Sequence, residues 1–248
     1  MSESRSKAIV EENSVEELSF TAGIKEGIPI ALGYIPIAIT FGLVAESAGI
    51  NKQISILMSL LVFAGASQFV AVNLLAVGSG VGEVILTTFI VNLRHLLMAA
   101  SISQRFRDNV SKGWRALLAF GITDETFSLA SLRSEEKLST SFMLGLNLIS
   151  YLSWVAGTGI GVFVGAELPS AIQASMGIAL YAMFIGLLVP SLQKSYSVVG
   201  VVIFAVVINS LLNWLSVFSS ISDGWKIVIT TILAAFLGAV LFPKEESN

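Results

Sequence analysis

From Gly27 onward, long apolar runs alternate with short polar breaks. The runs lie near 28–45, 54–77, 84–103, 116–132, 140–165, 171–189, 198–216 and 226–242. A helix that crosses a bilayer needs about 20 apolar residues, with a range of about 17–25, and most of these runs meet that length. The pattern predicts an all-α integral membrane protein, a polytopic helical bundle. Two runs are interrupted: 54–77 carries Gly65-Ala66-Ser67-Gln68 at its centre, and the shorter 116–132 carries Thr123-Asp124-Glu125-Thr126. Irregular backbone at membrane depth survives only where protein or a water-filled cavity surrounds it. Both segments are therefore expected to be broken or re-entrant.

The polar stretches give the organisation. Residues 1–26 read as a mainly acidic leader, 27–243 as a single transmembrane domain, and 244–248 as a short polar tail. Ser14 and Glu17 have the spacing of a capping box for a short helix ahead of the membrane. The leader lacks the basic, apolar and small-residue order of a secretory signal. Lys and Arg gather in the leader, at Arg105, Arg107, Lys112 and Arg115, and at Arg133 and Lys137. The bias of basic residues toward cytoplasmic loops puts all three groups, and the N-terminus, inside. Eight simple crossings would place the leader and the 104–115 loop on opposite sides. Having both inside requires 54–77 not to cross fully, and having 133–137 inside requires the same of 116–132. Six to eight crossings are expected.

Composition narrows the function. Hydrophobic residues make up 54% and charged residues 12% of the 248 positions, where a soluble domain carries about 25% charge. Together with a mean hydropathy of +0.83, this excludes a soluble enzyme. There is no cysteine and one histidine, His95, so disulfides, thiolate metal sites and multi-histidine centres cannot be built from this chain. No metal or cofactor is expected. A net charge of −3 gives no reason to expect nucleic acid, and no P-loop motif is present to hold a nucleotide.

The charged residues that lie well inside the apolar runs, away from their edges, are Arg94, Asp124 and Glu125. Arg94 is eleven residues from both Glu83 and Arg105, which puts it about 15 Å from either end and near the middle of a core about 30 Å thick. A central arginine costs about 2.5–3.5 kcal/mol on insertion scales. Asp124 is nine residues from both Arg115 and Arg133, so the two can sit at one depth and offset each other's desolvation. Such a pair can serve only to fix helix register. It can also form a site for a zwitterion, with Arg94 holding a carboxylate in its bidentate fork and Asp124 or Glu125 facing an ammonium. Adjacent helical residues point about 100° apart, so one of the two acids is expected to face the cavity.

His95 adjoins Arg94 and shares a helix face with Asn92. A histidine and a carboxylate at mid-membrane suit a proton relay, which makes His95 and Glu125 the candidates for proton coupling; a packing role for His95 is the alternative. Ser67, Gln68 and Asn92 are candidate hydrogen-bonding contacts to substrate, although Gln68 can equally bridge to a neighbouring helix. Asn147, Asn209 and Asn213 read as interhelical glue. Gly157, Gly161 and Gly165 form two G-x-x-x-G steps on one face, a spacing that lets another helix approach closely. Pro36 is expected to bend the first span. No internal repeat is evident.

Three segments, Phe63-Ala-Gly-Ala-Ser-Gln-Phe69, Asn92-Leu-Arg-His-Leu-Leu-Met-Ala-Ala-Ser101 and Thr123-Asp-Glu125, together resemble the AzlC-type family, and the Asn147…Tyr151…Trp154…Gly157-Thr158 stretch fits it as well. The resemblance runs from about Gly23 to near the C-terminus. Members of that family are the large subunits of branched-chain amino acid exporters. It implies a secondary transporter in the cytoplasmic (inner) membrane, exporting valine, leucine, isoleucine and in some cases methionine or analogues. It also implies a small AzlD-type membrane subunit as partner.

The expectation is a non-enzymatic, proton-coupled permease in which Arg94 and Asp124 bind the two charged ends of the substrate. The alternatives are an exporter or channel for another small solute, a structural membrane subunit, and a membrane-embedded enzyme using His95 with Asp124 or Glu125.

Overall fold

A computed structural model describes residues 19–106, 110–133, 137–164 and 195–243, with isolated positions between 167 and 193. The described residues form an all-helical membrane protein without strands. In chain order the helices are α1 (Phe20–Ser47), α2 (Lys52–Leu61), α3 (Gly65–Ala76), α4 (Val81–Gln104), α5 (Lys112–Phe120), α6 (Asp124–Leu132), α7 (Thr140–Val164), α8 (Tyr196–Trp214) and α9 (Asp223–Leu241). Five of them, α1, α4, α7, α8 and α9, are long and apolar enough to cross a membrane. Most of the run at 171–189 lies outside the described residues, as do the Ser14–Glu17 pair, Gly165 and the tail. The first helix starts earlier than its apolar run. Ser19 caps it by accepting from Ala22 N at 3.1 Å, so Lys25 and Glu26 ride on its first turns.

The interior is built on α1 and α7, which run parallel in backbone contact. Gly23 lies against Phe142 and Leu146 near the start of both helices, and Gly42 lies against Thr158 and Val162 near their ends. A Cβ on Gly145 would strike the Phe20 carbonyl, and one on Gly161 the Ile39 carbonyl. Gly157 and Gly161 thus supply the close approach that their spacing implied. The neighbour that uses them is α1 of the same chain. Pro29 and Pro36 both lie inside the continuous α1.

The two interrupted segments are helical hairpins that enter from opposite ends of this core. Lys52 pairs with Glu46 at 3.0 Å, where α1 ends. From there α2 descends along α7: Ser59 Oγ meets Thr158 Oγ1 at 2.7 Å, and Tyr151 donates to Leu60 O at 2.9 Å. The chain turns at Val62-Phe63-Ala64. The returning α3 packs Phe69 on Phe41 and Val72 in one cluster with Ala45. The second hairpin starts from the other end, where Arg115 Nη1 donates to Ser103 O at 3.2 Å. It reaches Phe120, turns at Gly121-Ile122-Thr123, and returns so that Ala130 O accepts from Arg105 at 2.7 Å. The tips meet at mid-depth, with the Phe63 and Phe120 ring centroids 6.3 Å apart. Neither segment crosses, which removes the conflict that eight simple crossings created.

Charge sorts by end. Where α1 begins, Arg133 pairs with Glu26 at 2.6 Å, and Arg105 is tied to the backbone of Ala130, Arg133 and Leu138. At the opposite end, Glu83 on α4 accepts from Ser222 Oγ at 2.5 Å and Gly224 N at 3.0 Å. That carboxylate caps the start of α9 and fixes the antiparallel α8–α9 pair to α4.

Candidate functional site

Each hairpin tip ends in the start of a helix. The first four N–H groups of a helix lack intrahelical partners and carry its positive dipole end. Thr123 closes one of these ends: its Oγ1 accepts from Thr126 N at 3.3 Å, and Thr126 Oγ1 accepts from Thr123 N at 2.8 Å. The other, at Ala64 before α3, has no N-cap side chain; the N–H of Ala64 itself goes to Gln68 Oε1, and no side chain closes the turn that follows. Gly65 and Ala66, its first two residues, line a pocket shared with Tyr34, Phe63, Arg94, His95, Thr123, Asp124, Glu125 and Trp154. Gly65 is required by contact, since a Cβ there would lie 2.7 Å from the Trp154 ring.

Arg94 Nη1 and Asp124 Oδ2 form an ion pair at 2.8 Å, with 35% and 25% of the two side chains exposed. The pair also borders a second, wider cavity of about 690 Å³ that runs past Met98, Phe127 and Ser131 toward the end where α1 begins. The inner pocket has only about 30 Å³ of free volume, room for about two water molecules. The pair therefore borders both a wide vestibule and a small inner pocket.

Both acids line the pocket, which corrects the expectation that one would. They are the first two residues of α6, and the helix presents its end to the pocket, so the angular separation along a helix flank does not divide them. Asp124 takes Arg94, while Glu125 Oε2 accepts from the Tyr34 hydroxyl. Tyr34 Oη also lies 2.7 Å from Thr123 Oγ1. A phenol has one proton to give, so Tyr34 donates to Glu125 or to Thr123 at any one time, not both. Glu125 Oε1 and His95 Nδ1 are buried without a protein partner, on residues that both line the pocket.

Gln68 and Ser67, expected among the substrate contacts, do not line the pocket. Gln68 is 1% exposed; its amide donates to Ser59 Oγ at 3.0 Å and accepts from Trp154 Nε1 at 3.1 Å and Ala64 N at 3.2 Å. Its bonding capacity goes into holding the first tip against α7, the bridging role that the sequence left open. Ser67 Oγ donates to Ala64 O at 2.9 Å. Asn92 lies one turn before His95 on α4, outside the pocket lining, with its Oδ1 buried and unpartnered. Asn147 braces the second tip by donating to Leu118 O at 2.9 Å. Sequence reasoning missed Tyr34 and Trp154, because an aromatic residue within an apolar run carries no mark that separates a site from a core. It also missed Phe63, whose φ of 44° is the one positive value outside glycine among the described residues. That conformation costs an L-residue about 1–2 kcal/mol.

Residues 29–168 match the family model described as AzlC protein. The chain is 38% identical over 185 residues to the inner membrane protein YgaZ of Escherichia coli (strain K12), covering 72% of this chain and 76% of that one. It is 35% identical over 176 residues to an uncharacterized membrane protein of Archaeoglobus fulgidus, covering 70% and 76%. It is 29% identical over 179 residues to the branched-chain amino acid transport protein AzlC of Bacillus subtilis (strain 168), covering 71% and 69%. No solved structure matches the chain.

Proposed function

The chain belongs to the AzlC family, and on that premise we propose that it is a secondary permease subunit exporting branched-chain amino acids across the cytoplasmic membrane. The observation that carries the reading is the uncapped start of α3 facing Arg94 and Asp124 across one mid-depth pocket. A zwitterion needs an anion site and a cation site a few ångströms apart. Arg94 and the free N–H groups of α3 offer the first, as broken helices do for carboxylates in transporters. Asp124 offers the second. The substrate enters by exchanging the internal ion pair for two external ones, so its charges are never stripped of partners at mid-membrane.

The apolar face of Trp154 on the pocket wall receives the aliphatic side chain. The basic end of the bundle faces the cytoplasm, so the vestibule collects substrate from inside, as export requires. Glu125 carries the coupling proton and hands it on through Tyr34, with His95 as the second station. The similarity to a relative named for branched-chain amino acid transport supports the substrate class. A small AzlD-type membrane subunit completes the transporter, and no catalytic turnover is expected.

The test is the valine and leucine content of cells fed dipeptides of these residues. It compares no protein, this chain alone, and this chain with its small partner. The expected result is a fall in the internal pool matched by an external rise when both proteins are present. Unchanged pools with both in the membrane would overturn the reading.

A further inference from the structure

We propose that Phe63 is a strained aromatic plug, its ring occupying the volume that the substrate's side chain takes when bound. The inference rests on the reading of this pocket as an amino-acid site. A bulky residue keeps a left-handed backbone only where its surroundings impose it. At Phe63 the surroundings are rings: its centroid lies 5.2 Å from Tyr151, 6.3 Å from Phe120 and 6.4 Å from Tyr34. These come from α7, from the opposing hairpin and from α1, so the ring joins both tips to the core. It is 3% exposed, and it sits beside a pocket left with space for water alone.

The backbone on either side is anchored. Leu60 O is held by Tyr151 and Ala64 N by Gln68, so motion is confined to the residues between them. Rotation of Phe63 out of the left-handed region relaxes its backbone and removes its ring together. The tip therefore has two arrangements: ring in with the backbone strained, and ring out with the backbone relaxed and an apolar space opened beside Arg94 and Asp124. A substrate selects the second by filling that space. A phenyl ring is close in bulk to the side chains of leucine and isoleucine, so a side chain that fits where the ring was is the one that stabilises the open tip. Phe63 then sets the size preference of the transporter.

The cysteine-free chain permits a direct test with Ala66→Cys, a pocket-lining position, modified by a charged methanethiosulfonate reagent. Phe63→Gly removes the ring and tolerates the left-handed backbone, so it isolates the plug from the bend. Modification of the introduced cysteine is expected to be at least about fivefold faster with Phe63→Gly than with Phe63 in place. Export by the Phe63→Gly protein with its partner is expected to extend to phenylalanine. Equal modification rates, or an unchanged order of preference among valine, leucine and phenylalanine, would overturn the proposal. Should Phe63→Gly fail to accumulate, Phe63→Leu replaces it, with an intermediate rate expected and an unchanged rate counting against the plug. Faster modification without leucine export by the unaltered chain and its partner would overturn the amino-acid reading while upholding the plug as a mechanical element.

Discussion

Arg94 pairs with Asp124 at 2.8 Å and borders two cavities at once, a position in which geometry matters as much as charge. Arg94→Lys keeps the charge and loses the planar fork. A charged hydrogen bond is worth about 1.5–3 kcal/mol, so the half-saturating leucine concentration for export should rise by about tenfold or more, measured at matched membrane levels. Arg94 and Asp124 were legible in the sequence because charge is sorted out of the apolar runs everywhere else and residue spacing gives depth. Tyr34 was not legible. Its role arises from a contact with Glu125 across 91 positions of chain. Tyr34→Phe should reduce export and its response to a proton gradient, and in a Glu125→Gln background the same change should add little, because coupled residues are not additive. Equal effects in both backgrounds would separate the two residues.

At the scale of elements, the parallel contact of α1 with α7 and the two hairpin tips each depend on a few positions. Gly161→Val drives side-chain atoms into the Ile39 carbonyl and should lower stability by about 1–3 kcal/mol. Gly159, two residues away, has nothing near its missing Cβ, and Gly159→Ala should stabilise by up to about 1 kcal/mol. Thermal unfolding of the purified variants distinguishes the two signs. Gln68→Leu strands Trp154 Nε1 and Ala64 N in the interior, at about 1–3 kcal/mol for each unsatisfied group, and should loosen the first tip. The breaks themselves were legible as polar or small residues inside apolar runs, and the glycine spacing announced a close helix contact. Which helix makes that contact, and that the two hairpins enter from opposite ends, depends on pairings between residues about 100 positions apart, such as Ser59 with Thr158. Local pattern does not encode such pairings.

The whole molecule combines a helix pair that fixes depth, two opposed hairpins that bring backbone polarity to that depth, and a vestibule that opens toward the basic end. The end-to-end sorting of charge required two segments to turn back, and the hairpins satisfy that requirement. In this arrangement Arg94 and Asp124, the charged groups proposed to bind a zwitterion, are paired with one another. The most direct test is the thermal stability of the purified chain with its proposed small partner, in leucine, in leucinamide, which lacks the carboxylate, and in 4-methylpentanoate, which lacks the ammonium. A ligand that binds the folded state raises the unfolding temperature in proportion to its affinity. Leucine is predicted to raise it, and each singly charged analogue at the same concentration to leave it unmoved. Stabilisation by leucinamide equal to that by leucine would contradict the claim that Arg94 and the start of α3 receive the substrate's carboxylate.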